Sequence, residues 1–240
     1  MAPIIDIVRH GEALHNALKD NFIRDPALTE KGVAQSRELC NTYKYRYQVA
    51  HVISSPMRRA IQTTIHGFEP LFFTGENRMR IVLVPELQES SARPSDTGSP
   101  AEELEYEFGD DLVDTCFLSD GWWNKDASKS FGPDPEKLAL RAQKARLYIR
   151  SLARSVAAQY PNEGENTRIV VVTHSAFVKL LILGEPVFGN AELMSCRFVD
   201  LHGDDDRALM ELVVGIADQG ATPPTQMPVD EDNVFDHIAI

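Results

Sequence analysis

The chain has 240 residues, 43% hydrophobic and 25% charged, the proportions of an ordinary globular protein with enough apolar side chains for a sizeable core. A net charge of -12 argues against nucleic acid as the main partner, because a phosphate backbone needs a basic face. An acidic protein that binds an anion must gather its few cations locally, so clustered arginines carry information.

In chain order, the apolar run IIDIV reads as a buried strand, bounded by Pro3 and the turn Arg9-His10-Gly11. A helix is predicted from about Thr29, a good N-cap, with Val33, Leu39 and Tyr43 at helical spacing. HVISS is a second strand, followed by a helix with Pro56 at its first position. RIVLVPEL is a third strand, and residues 88–99 are polar and loop-like. Helical patterns follow near 100–109 and over 135–159. RIVVVTHS is the strongest strand, and AFVKLLILG continues it as a helix closing at Gly184. SCRFVDLH and ALMELVVGI form a closing pair around the acidic turn Gly203–Asp206. From Asp218 onward the chain holds three prolines and five acidic residues against no Lys or Arg, a surface arm.

Strands alternating with helices predict a three-layer α/β/α sandwich around a mostly parallel sheet. No linker divides the chain, so residues 1–240 read as a single domain with a cap insertion at about 90–135 and an acidic arm at about 218–240. The three cysteines, Cys40, Cys116 and Cys196, are far apart, which removes a cysteine zinc site and a disulfide framework. They read as reduced, mostly buried thiols of an intracellular protein. No apolar run approaches the roughly 20 residues of a membrane helix, and no basic region precedes an apolar core at the start. A cytoplasmic location follows as the default, with the nucleus left open and no membrane partner.

In an open α/β sheet, ligands sit beyond the carboxyl ends of the strands. The four strand ends here carry Arg9 and His10; Ser54 and Ser55 leading to Arg58 and Arg59; Glu86 and Glu89; and His174 and Ser175. Two imidazoles, guanidinium groups and a carboxylate suit phosphoryl transfer. Neutral imidazole is a good nucleophile near pH 7, arginines neutralise phosphoryl oxygens, and a carboxylic acid serves the leaving oxygen. Gly11, lacking a Cβ, is expected to let the backbone approach an anion closely.

The segment RHGEALHN resembles the R-H-G-E-x-x-x-N signature of the histidine phosphatase (phosphoglycerate mutase-like) superfamily, branch 1. LTEKGVAQ, SSPMRRAIQTT, LQE and VVVTHS match in the expected order, from residue 9 to 175. The resemblance implies His10 as a nucleophile that becomes phosphohistidine, with Arg9, Arg59 and His174 completing the phosphate pocket. It selects Arg59 over Arg58, because the family's arginine directly precedes Ala. It prefers Glu89 to Glu86 as general acid/base, and it implies phosphate or substrate contacts for Asn16 and Ser175. No metal and no cofactor are implied.

After LQE the chain reads SSARPSDTGSPAEEL, without the Arg-rich, Pro-rich segment of cofactor-dependent phosphoglycerate mutases. A mutase needs cations beyond the core pocket to hold its leaving product, whereas a phosphatase needs only an ordered water. The expectation is therefore a metal-independent phosphoric ester hydrolase of histidine acid phosphatase type, acting on a small phosphorylated metabolite. The SARPSDTGS segment is similar to fungal-type members of the superfamily. The alternatives are a phosphoglycerate mutase-type phosphotransferase and a non-catalytic binding protein of the same fold. Monomer and homodimer both stay open.

Among the remaining groups, His15, His51, His66, His202 and His237 read as surface or satisfied core residues, and Arg58 as a solvated helix-face cation. Arg93, Ser95, Thr97 and Ser99 are either substrate-facing or turn-forming. Trp122 and Trp123 read as packing of the insertion on the core, with the wall of an apolar pocket as the other possibility.

Overall fold

Every residue from Ile4 to Val8 is buried, on both faces of the first strand, as expected where helices cover both sides of a parallel sheet. The computed structural model describes residues 2–74, 78–184, 186 and 189–213. Its strands are β1 (Ile4–Arg9), β2 (Val49–Ser54), β3 (Ile81–Leu83), β4 (Val113–Asp114), β5 (Arg168–Thr173), β6 (Leu193–Phe198) and β7 (Met210–Leu212). They form one seven-stranded sheet in the order β4-β3-β2-β5-β1-β6-β7. β4, β3, β2, β5 and β1 pair in parallel, while β6 runs antiparallel to β1 and to β7.

The helices are α1 (Leu14–Leu18), α2 (Glu30–Thr42), α3 (Arg58–Gly67), α4 (Glu69–Phe73), α5 (Ala101–Phe108), α6 (Pro135–Gln159) and α7 (Ser175–Ile182). Ile5 and Ile7 of β1 pack with Ile149 and Leu152 of α6 and Phe177 and Leu181 of α7. On the opposite face, Val8 of β1 and Val170 and Val172 of β5 pack with Leu39 of α2 and Ala60 and Ile61 of α3. Two buried clusters with one sheet between them make the expected α/β/α sandwich.

Local chemistry explains the helix ends. Thr29 caps α2 by accepting from the Gly32 N–H, and Asp134 caps α6 by accepting from Glu136 and Lys137. Three expectations change. α3 begins at Arg58 with Met57 as its N-cap, so Pro56 lies outside the helix. α7 ends at Ile182, and Leu183, not Gly184, takes the left-handed C-cap conformation. Only Cys196 is buried; Cys40 is intermediate and Cys116 exposed.

The insertion at about 90–135 holds a short 3-10 turn, α5 and β4, and β4 joins the main sheet beside β3. Trp122 is buried in the apolar cluster on the α2–α3 side, the packing role expected of it, with Trp123 edge-on to it. No helix among the described residues is long and apolar enough to cross a membrane. The acidic arm expected at about 218–240 lies outside the described residues.

Candidate active site

β1 and β5 are adjacent and parallel, with Arg9 opposite Thr173, so the residues that follow them, His10 and His174, leave the sheet at the same height. The His10 N–H donates to the Thr173 carbonyl, and the two rings sit with centroids 5.0 Å apart. β2, on the other side of β5, delivers Ser55, whose hydroxyl pairs with His174 Nε2 at 2.8 Å. α3 then carries Arg59 back over the strand ends. Of the four strand ends named from the sequence, those of β1, β2 and β5 meet here.

The His10 Nδ1–H donates to the Gly11 carbonyl at 2.7 Å, which leaves the Nε2 lone pair outward. Arg59 Nε–H donates to that nitrogen at 3.2 Å. Arg59 also donates from Nη1 to the Ser95 carbonyl at 2.6 Å and from Nη2 to Asp96 at 3.0 Å. A guanidinium has five N–H donors, so Arg59 keeps two for a ligand. Both His10 and Arg59 are buried.

Burial, and then the Arg59 charge, push the His10 imidazole well below its ordinary range. His174 is lowered well below its ordinary value for the same two reasons, in the same order, with His10, Lys125 and Arg141 adding to them. Both rings are therefore neutral at pH 7, one a potential nucleophile and the other a neutral partner beside it. Arg9 is lowered by burial and raised by Glu89, which places that carboxylate in reach of the same field. Glu86, which burial raises, responds instead to Lys144 and Arg141.

Several expectations are altered by this arrangement. A Cβ at Gly11 would lie 2.7 Å from the Gly32 carbonyl of α2, so glycine is required there by the close approach of that helix. Asn16 is engaged within α1: its Oδ1 accepts from the Ala13 N–H at the helix start, and its Nδ2 donates to His15 Nε2 at 2.9 Å. Ser175 opens α7 directly after His174. Arg58 is not a solvated cation, because it donates to the buried Asp25 at 3.0 Å, to Ser99 and to Glu107 at 2.6 Å. Ser95 and Ser99 are clamps for the two arginines, while Thr97 closes a turn onto the Arg93 carbonyl.

Five residues lie at the site that the sequence reading did not place there. Asp96 accepts from Arg59 with one oxygen and from the Ser91 hydroxyl with the other. His15, read as a surface or core residue, has its ring centroid 6.1 Å from that of His10 and is lowered to about 4 by burial and then Arg59. Asn190 donates to the His10 carbonyl at 3.1 Å. Lys125 and Arg141, from the insertion and α6, both donate to the Glu89 carbonyl. Only SARPSDTGS carried a readable signal for any of these, and it pointed to the neighbours of Asp96. Among the described residues no group of three or more His, Cys, Asp or Glu is arranged to hold a metal ion.

Solved structures share the fold. A phosphoserine phosphatase from Entamoeba histolytica, in complex with 3-phosphoglyceric acid, is 20% identical with a TM-score of 0.51, covering 88% of this chain and 94% of that one. A mycobacterial glucosyl-3-phosphoglycerate phosphatase is 19% identical with a TM-score of 0.51, covering 88% of this chain and 98% of that one. A search of the curated proteins found no match. The profile of the histidine phosphatase superfamily (branch 1) matches residues 5–186, most of the chain and all of the strand ends that build the site, and the chain belongs to that superfamily.

Proposed function

We propose that the protein is a phosphatase for a small phosphorylated metabolite and works through a phosphohistidine on His10. The observation that carries this reading is the orientation of the His10 ring: Nδ1–H is spent on the Gly11 carbonyl, so the lone pair is on Nε2, where its partner is the Arg59 guanidinium. A phosphoryl group drawn to Arg9, Arg59 and His174 takes the place of that Arg59–His10 contact, with phosphorus in line with Nε2. In the first step Nε2 attacks phosphorus, the P–O bond to the leaving alkoxide breaks, and the Glu89 carboxyl gives that oxygen its proton. In the second step Glu89, now a carboxylate, takes a proton from water. The water oxygen attacks phosphorus, the N–P bond breaks, and neutral His10 returns. Arg9 and Arg59 hold the equatorial charge in both steps.

No step uses a metal or cofactor, and the reaction class is that of a metal-independent acid phosphatase of a cytoplasmic protein. Replacement His10→Ala is expected to reduce turnover of an aryl phosphate at least ~10³-fold and to abolish trapping of labelled phosphoryl on the protein, while EDTA leaves the wild-type rate unchanged. Full activity of the variant would refute the nucleophile assignment.

One observation favours a second reading. The expectation that the site lacks cations beyond the core pocket is altered by Lys125 and Arg141, which are the kind of groups a phosphotransferase uses to retain its product. Dependence of activity on a bisphosphate primer would identify that chemistry; primer-independent release of inorganic phosphate identifies hydrolysis.

A further inference from the structure

His15 and His51 are both lowered to about 4 in the folded protein, yet different surroundings act on them. His51 is lowered by burial. His15 is lowered by burial and then by the Arg59 charge, with Asp96 acting against it and Arg9 with it. Those three groups belong to the His10 pocket, and the His15 ring stands there with its centroid 6.1 Å from that of His10, tilted by 47°. Its backbone is firmly held. The His15 carbonyl accepts from the Lys19 and Asp20 N–H groups, and the preceding Leu14 N–H donates to the Ala27 carbonyl.

The hydrogen bonds around this ring fix its tautomer. A backbone N–H only donates, so the Asn16 side-chain atom that meets the Ala13 N–H at 3.1 Å is the oxygen. The other end of that amide is then nitrogen, which also only donates, and it meets His15 Nε2 at 2.9 Å. Nε2 therefore carries the lone pair, and the ring proton sits on Nδ1. Protonating the ring would set two donors against each other, a second reason for His15 to stay neutral. The Nδ1 atom is buried and has no partner among the described residues. An N–H withdrawn from water without an acceptor is unfavourable, and beside a phosphate pocket it suits a ligand oxygen.

We propose that His15 is a substrate-contact residue whose Nδ1–H donates to a non-bridging oxygen of the phosphoryl group held at His10, with Asn16 as the positioning residue that fixes its tautomer. The charges that act on His15 include both arginines assigned to the phosphoryl group, which favours a non-bridging oxygen over the leaving oxygen served by Glu89. Arg9 and Arg59 supply the countercharge, and the neutral ring adds a directed hydrogen bond without a third cation. The phosphate contact that the resemblance implies for Asn16 is then made through its neighbour. This inference rests on the phosphatase reading of the His10 pocket.

Turnover of p-nitrophenyl phosphate by the full-length protein separates contact from packing. Asn in place of His15 keeps an amide N–H near the position of Nδ1–H, whereas Phe keeps the ring and has no donor. His15→Phe is expected to lower kcat/KM about tenfold, and His15→Asn to bring it back to within about threefold of wild type. A ring that serves only packing gives the reverse order. His15→Phe at the wild-type rate, or His15→Asn no better than His15→Phe, therefore overturns the proposal. Long-range proton–nitrogen NMR spectra of the histidine-labelled wild-type protein at pH 7 read the ring directly. The expected result is an Nδ1–H tautomer for His15, an Nδ1 resonance that moves on addition of inorganic phosphate, and a shift toward the Nε2–H tautomer in Asn16→Ala. An Nε2–H tautomer in the wild type, or a resonance that phosphate leaves in place, overturns the contact even if no substituted chain folds; an unchanged tautomer in Asn16→Ala overturns the positioning role. Failure of the phosphatase reading shows separately, as absence of phosphohistidine in the intact protein.

Discussion

Both ends of the β1–β5 strand pair carry buried polar groups, yet they are built in opposite ways. At the amino end, Arg168 Nη1 donates to both oxygens of Asp6, at 2.8 and 2.9 Å. Asp6 also accepts from the Tyr43 and Ser195 hydroxyls, each at 2.6 Å. Gln48 accepts from Arg168 Nε, and the Tyr45 ring lies 3.5 Å from the guanidinium carbon. Charges and lone pairs are matched within the protein. At the carboxyl end, Arg59 keeps donors to spare, while His174 Nδ1 and Arg141 Nε have no partner among the described residues. A buried cluster completed internally holds a fold together, and a cluster that is left incomplete has capacity for a ligand.

This contrast gives tests of decreasing size beyond the loss expected for His10→Ala. Arg168→Met strands Asp6 in the core and should destabilise the protein by about 3–5 kcal/mol in urea denaturation. Adding Asp6→Leu should restore part of that, because no buried charge is then left unpaired, although the Tyr43 and Ser195 hydroxyls and the Gln48 carbonyl lose their partners. If the single substitution is harmless, the amino-end cluster is not the internally completed one described here.

At the other end, Asp96→Asn keeps an oxygen for Arg59 but loses the charge that aligns it. A fall of about 10–100-fold in kcat for an aryl phosphate is expected, with a smaller change in KM. An unchanged kcat would show that Arg59 is positioned without Asp96.

The smallest expected effect is on the pH dependence of stability. His10 and His174 are lowered in the folded state, so between their folded values and 6.5 the unfolded chain binds more protons. Stability should therefore be complete above pH 6.5 and fall as the medium is acidified, by at most about 1.4 kcal/mol per pH unit for each fully buried ring. His15 and His51, both lowered to about 4, act in the same direction. Asp25 and Glu86, raised by burial, act against it and reduce the slope. His10→Ala should flatten the profile, as thermal melts from pH 5 to 8 would show; an identical slope would mean that His10 is not held neutral by the fold.

Arg58 and Arg59 show where reading the sequence stops. They are consecutive, of one residue type, and both begin α3. Motif position distinguishes Arg59, but no local pattern shows that Arg58 is drawn in by Asp25, 33 residues earlier. Nor does any local pattern show that Arg59 is clamped by Asp96, 37 residues later. The short elements α1, α4 and β4 were missed for a related reason: two to five residues are too few to display a period.

What the sequence determined by itself was the class of fold and the candidate chemistry. Apolar runs of strand length ending in RHG, SS and THS, separated by helical periods, are local properties of the chain. Their order in the sequence forces the strand ends to one edge of a parallel sheet. Tertiary structure decided which buried charges are balanced and which are not. Burial and ion pairing depend on what folds over a group, and for Lys125 and Arg141 that is a loop and a helix arriving 36 and 52 residues after Glu89. A lysine in a polar loop and an arginine on an amphipathic helix look solvated until the fold removes the water around them.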